Sequence, residues 1–328
     1  IPNHILNLKH LKGLYLDNNS ITNIPKNIGE LDELKSLSLV GNQITSLPSS
    51  ISNIKNLSLL DVRSNRILDG KYGFQFQDGM LDLSGKMELS SLPVEITYLN
   101  GVTGIDFGHC QLSKRTEEEL DEIFQTLSKF TSLTSFVLDS NNFTCLPKSI
   151  ERLTNITSLD VRNNRFTTLP GSLKNLKYLT NLDMSDNQLS KISKEQLESL
   201  FDKLTRIPSL EELNLKDNQI SFLPETIGRL TNLRHLDLWK NELQNLPDSV
   251  FDLTRLSYLH LGDNCLTMVS HSIGNLRALK TLRLDSNQIT LLPDEIGTLT
   301  KLKDIFVFRN KLEQLPKTIG NLSSLVFL

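Results

Sequence analysis

The chain has 328 residues, 38% of them hydrophobic and 22% charged, and a formal net charge of −3. That balance excludes the strongly basic surface with which proteins hold nucleic acid or anionic lipid. No apolar run is long enough to span a bilayer, and Ile1 opens neither a basic nor an apolar leader segment. Cys110, Cys145 and Cys265 stand too far apart for a disulfide framework or a metal-ligand set.

The first element already shows a period. Leu11-Lys-Gly-Leu14-Tyr-Leu16-Asp-Asn-Asn19-Ser-Ile21 returns 23 residues later as Leu34-Lys-Ser-Leu37-Ser-Leu39-Val-Gly-Asn42-Gln-Ile44. Equivalent starts follow at 57, 78, 102, 133, 156, 179, 210, 233, 256, 279 and 302, so residues 1–328 are expected to form a single solenoid of about thirteen full repeats. A fourteenth repeat begins at Leu325, and Ile1-Pro2 precedes Ile24-Pro25 in the same phase. Stacked coils need polar end caps, so the expectation is a piece of a longer chain, or ends covered by other segments or by self-association.

Each repeated position has a chemical reason. In Leu-x-Leu, alternate residues of a short extended segment share a face, so Leu236 and Leu238 point inward while His235, Asp237 and Trp239 point out. The turn after the strand leaves backbone groups without ladder partners, and an inward Asn at the ninth position can bond them. Lys86 and Cys110 replace it in two units, Cys110 as a small, weakly hydrogen-bonding substitute and not a nucleophile. Proline then follows the second-turn Leu, as in Leu47-Pro48, Leu146-Pro147 and Leu292-Pro293, and suits an irregular or single-turn return path. Burial at roughly 1.5–3 kcal/mol per aliphatic side chain drives the stack, before entropy is subtracted. Strands stack at about 4.8 Å and helical returns at roughly 8–10 Å, so the stack curves with its strands on the concave side.

Three stretches break the pattern. Residues 68–80 have lost the Leu-Pro element and carry Tyr72, Phe74 and Phe76 in alternation, which fits an extra strand, a protruding loop or a decayed repeat. Residues 113–130 and 193–207 lengthen two repeats with apolar helical spacing, Leu120, Ile123, Phe124 and Leu127 matching Leu197, Leu200, Phe201 and Leu204. Thr116 with Glu119 and Ser193 with Gln196 form the signatures of capping boxes. Both stretches are expected as convex helices whose apolar stripe is core, in preference to a docking role for the acidic run Glu117 to Glu119.

The pattern Leu-x-x-Leu-x-Leu-x-x-Asn-x-Leu followed by Leu-Pro resembles the leucine-rich repeat over essentially the whole chain. Its 23-residue Leu-Pro form is similar to Ras-group and scribble-like intracellular leucine-rich proteins, and to the repeat arms of Roco GTPases and some adenylyl cyclases. The resemblance implies an α/β solenoid, a curved horseshoe with a parallel β-sheet on the concave face and short helices or turns on the convex face. It further implies a cytoplasmic, non-enzymatic scaffold or regulatory arm in signal transduction, holding a protein partner such as a small GTPase, phosphatase or kinase. It carries over no fixed binding residue.

The outward positions therefore have to name the site. The fifth position runs Tyr15, Ser38, Asp61, Asp82, Asp106, Val137, Asp160, Asp183, Asn214, Asp237, His260, Arg283, Phe306, an acidic stripe partly countered by Arg63 and Arg162. Parallel strands set these residues side by side, and basic partner groups are their natural complement. Toward the C-terminal repeats the surface turns aromatic: His235, Trp239, Tyr258, His260, Arg283, Phe306 and Phe308, with Trp239 the single tryptophan. Aromatic residues with Arg are the composition of interface hot spots. The partner-binding candidates are this cluster with Asp160, Arg162, Asp183 and Asp237; the competing use of Phe306 and Phe308 is packing under a C-terminal cap.

Other classes have weaker signals. No Gly-x-Ser-x-Gly, His-Glu-x-x-His or phosphate-cradling loop occurs, so no enzyme chemistry, cofactor or metal is expected, and the trio His235, Asp237 and His260 has no nucleophile beside it. A secreted recognition module is the alternative suggested by glycosylation acceptor patterns at Asn18, Asn56, Asn142, Asn155 and Asn321, at the frequency chance supplies, while unpaired cysteines favour the cytosol. A further alternative is the regulatory domain of a larger enzyme such as a kinase, Roco GTPase or cyclase.

Overall fold

The computed structural model describes residues 1–328 except Asp69, Gly70, Met87, Glu88, Ser90 and Pro93, and the side chains of Val94 and Glu95. They form two compact units, residues 1–142 with 147–156, and residues 143–146 with 157–328. Each unit is an α/β solenoid with its strands in chain order on one face.

The first unit carries β1 (Gly13–Tyr15), β2 (Ser36–Ser38), β3 (Leu59–Asp61), β4 (Gln75–Gln77), β5 (Met80–Asp82), β6 (Gly104–Asp106) and β7 (Ser135–Val137). The second carries β8 (Ser158–Asp160), β9 (Asn181–Asp183), β10 (Glu212–Asn214), β11 (His235–Asp237), β12 (Tyr258–His260), β13 (Thr281–Arg283) and β14 (Asp304–Phe306), all parallel. In every strand the middle residue is buried, which leaves the residues on either side of it for the outer face. The coil beginning at Leu233 buries Leu233, Leu236, Leu238, Leu243, Val250, Phe251 and Leu253 completely.

The ninth-position asparagine holds the turn. Asn241 Nδ2 donates to the carbonyls of Leu215, Leu238 and Trp239, and its Oδ1 accepts from the amides of Asn218 and Ile220. The residue before the ninth position takes a left-handed conformation in all thirteen repeats, from Asn18 and Gly41 to Ser286 and Arg309. At Cys110 the thiol donates to the Leu83 carbonyl, and at Lys86 the ammonium donates to Ser84. Proline supplies the extended residue before a single 3-10 turn: the Ile51 amide donates to Pro48, and the Ile227 amide to Pro224. The two lengthened repeats form α1 (Glu117–Leu127) and α2 (Lys194–Leu204), each opened by a two-way capping box and each burying its apolar stripe.

Of the 68–80 stretch, residues 69 and 70 lie outside the described residues; within the rest, Gln75–Gln77 form an extra strand. β4 pairs antiparallel with β3 and with β5, burying Phe74 and Phe76. The connection from β4 to β5, Asp78-Gly79, is too short for the crossover that a parallel pair needs. Asp78-Gly79 makes the hairpin turn to β5, with φ of 49° and 87°, the left-handed pair that a two-residue hairpin turn favours.

Candidate functional site

The register of the second unit sets three rows of side chains on the strand face. The middle row runs Asp160, Asp183, Asn214, Asp237, His260, Arg283 and Phe306, each directly opposite the next. One flanking row includes His235 beside Tyr258, and the other, two residues past each strand centre row, carries Arg162, Ser185, Lys216, Trp239, Gly262, Asp285 and Phe308.

The acidic row has an internal purpose that its sequence position did not reveal. Each carboxylate accepts the amide two residues on: Asp160 from Arg162, Asp183 from Ser185 and Asp237 from Trp239 in the second unit, Asp61 from Arg63, Asp82 from Ser84 and Asp106 from Gly108 in the first. The arginines are spent locally, Arg162 on Asp160 at 3.0 Å and Arg63 on Asp61 at 2.6 Å. Asp183 also accepts from the Ser185 hydroxyl and from Asn214. The expected unbroken stripe is corrected in the first unit, where β4 inserts Gln75 between Asp61 and Asp82.

The aromatic cluster is one packed patch. His235 stacks on Tyr258 with centroids 4.0 Å apart, Trp239 lies parallel to His260 at 6.2 Å, and Tyr258 meets His260 edge-on. Lys216 sits over the Trp239 ring at 4.7 Å and Arg283 over Phe306 at 5.0 Å. Phe308 is half exposed, whereas His260 is buried at 7% exposure, so the expectation that it is displayed outward is corrected: its neighbours Trp239, Tyr258 and Asp237 cover it. Its Nδ1 lies 3.3 Å from the Asp237 carboxylate and 3.4 Å from the Tyr258 hydroxyl, and its Nε2 is buried with no hydrogen-bond partner.

Burial opposes ionisation of Asp237, yet the His260 hydrogen bond and the Trp239 amide hold its carboxyl below the ordinary range. Burial pushes the His235 imidazole down, outweighing Glu212 and Asp237, and pushes the Tyr258 phenol up. Beside these groups a hollow of about 520 Å³ opens between Trp239 and Phe308, floored by His260, Arg283 and Asp285. A larger groove of about 880 Å³, lined by Met268, Leu291 and Leu315, lies away from the strand face and includes none of the candidate residues. Among the described residues no group of three or more His, Cys, Asp or Glu side chains is placed to hold a metal, and no helix is long and apolar enough to cross a membrane.

The likeness to known proteins follows the coil geometry. The family described as "Leucine rich repeat" matches residues 131–189 and 231–289, "Leucine-rich repeat region" matches residues 2–138, and "Leucine Rich repeats (2 copies)" matches residues 208–249. No curated protein sequence matches. Among solved structures, an LRR protein of Leptospira interrogans is 30% identical at a TM-score of 0.64, over 100% of this chain and 80% of that one. An internalin from Listeria monocytogenes is 21% identical at 0.60, over 98% and 87%. A plant peptide hormone receptor, solved in complex with RGF2, is 22% identical at 0.55, over 100% and 60%; the last two share the fold. Repeat profiles along both units and a relative aligned from end to end agree with the asparagine-pinned coils, and the chain belongs to the leucine-rich repeat family.

Proposed function

We propose that the strand face of the second unit binds a protein partner, centred on Trp239, Tyr258, Arg283, Phe306 and Phe308, and that the chain works as a non-enzymatic scaffold or regulatory arm. The single observation that carries this reading is the clustering of part-exposed aromatic and arginine side chains on one registered surface. Such side chains bury much area at small entropic cost, and packed aromatic patches ringed by polar groups are where interfaces concentrate their energy. Asp160, Arg162 and Asp183 form the acidic end of the same face; with their charges partly satisfied internally, they set orientation more than affinity. The three free cysteines support a reducing compartment, the cytoplasm, and the resemblance to Ras-group and scribble-like repeats supports a signalling protein such as a small GTPase, phosphatase or kinase as the partner.

The test is capture of the partner from cell extract by the wild type and by a Trp239→Ala, Arg283→Ala, Phe306→Ala triple variant whose fold is checked by circular dichroism. Loss of the captured protein on the folded variant is expected. Undiminished recovery would falsify the assignment of this face.

A further inference from the structure

We propose, resting on the reading of the strand face as the partner surface, that the hollow between Trp239 and Asp285 receives an arginine side chain of the protein partner. The row of side chains beside the hollow lacks one member. Along the row Lys216, Trp239, Gly262, Asp285 and Phe308, only Gly262 has nothing to raise above the sheet. Its φ is not in the left-handed region that calls for glycine, so the backbone does not require it. A Cβ at this position would stand 3.0 Å from both Asp285 carboxylate oxygens. What glycine provides here is room for the Asp285 carboxylate to lie close over the backbone at the edge of the hollow.

The groups around that space ask for a donor. The Asp237 carboxylate can only accept, so in a neutral imidazole the His260 proton belongs on Nδ1 and Nε2 is left as an acceptor. That nitrogen is buried without a partner, and the imidazole is nine-tenths buried. Asp285 is buried and accepts from Arg283 Nε at 3.3 Å, while the exposed Asp263 carboxylate accepts no hydrogen bond among the described residues. The cations nearest the floor are engaged, Lys216 over Trp239 and Arg283 over Phe306 and on Asp285. Arg309 stands exposed at the rim, where water screens it.

A guanidinium meets this set. Its five N–H donors lie in one plane, so it can address an imidazole nitrogen and separate carboxylates at once, and its faces pack on aromatic rings. A lysine ammonium concentrates its donors at one point and reaches fewer of them. A carboxylate would set its lone pairs against those of His260, Asp263 and Asp285.

Trp239 is the only tryptophan, so its emission reports occupancy of the hollow directly. The probe is the capped tripeptide acetyl-Gly-Arg-Gly-amide, with its lysine and glutamate counterparts alongside. A saturable change in emission is expected with the arginine peptide, about tenfold weaker with lysine and absent with glutamate. Gly262→Gln, whose side chain would crowd the Asp285 carboxylate out of its place, abolishes the response, and the exposed Asp263→Asn weakens it about tenfold without threatening the fold. An equal or stronger glutamate response, a response that survives Gly262→Gln in a folded variant, or none up to about 10 mM arginine peptide overturns the inference. The partner distinguishes this from the wider reading: capture lost on the triple variant but kept on Gly262→Gln sinks the arginine pocket alone, and capture kept on both sinks the face itself.

Discussion

The Sγ of Cys110 donates to the carbonyl of Leu83 at 3.1 Å, and Leu83 stands where each preceding repeat offers a carbonyl to the ladder asparagine. The same thiol lies 3.5 Å from the Gly108 carbonyl, and the Asn141 oxygen receives the Cys110 amide. Asparagine would donate two protons where the thiol has one. Cys110→Asn is expected to raise stability by about 1 kcal/mol, measured by urea unfolding. Burial pushes the native thiol up to about 11, so it should resist alkylation near pH 8 until the protein is unfolded, which peptide mapping would show.

Asn241 serves two amides and three carbonyls of its own and the preceding coil. Asn241→Ala leaves those buried groups unpaired. A loss of about 3 kcal/mol is expected in the urea midpoint, several times the cost of an alanine at a solvent-facing asparagine such as Asn23. A loss no larger than that at Asn23 would refute the ladder as the pin of the turn.

In the first unit, burial raises the Asp106 carboxyl, and Asp82 and Asp139 add to it, although the Gly108 amide opposes them. The unfolded carboxyl therefore ionises first as pH rises past its ordinary 3.8, and the folded state loses stability from there until its own carboxyl ionises. Asp106→Asn keeps the acceptor for Gly108 without the charge. It should raise the thermal midpoint at neutral pH, and the gain should vanish near pH 3.

His235 titrates in the opposite sense. Burial against Tyr258 lowers its pKa below the ordinary 6.5, so the unfolded chain takes the proton first as pH falls and stability drops below about that pH. His235→Gln should flatten the dependence of the urea midpoint between about pH 7 and 5. An unchanged slope would show that the stacked ring is no drier than the unfolded one.

The sequence by itself determined what depends on short spacing and translation. Alternation in Leu236-Asp237-Leu238 chooses the buried face, the returning asparagine satisfies the turn, and Thr116 with Glu119 opens a helix, because each rule acts within one coil and repeats in the next. The candidate patch was legible for the same reason: register between equal coils brings Asp237, His260 and Arg283 abreast. Tertiary structure alone decided what those neighbours do to one another. It slid Gln75 between Asp61 and Asp82, covered His260 and opened the hollow between Trp239 and Phe308. These outcomes rest on which rotamer each side chain takes against residues a whole coil away in sequence, and contact energies of that kind have no signature in a single repeat.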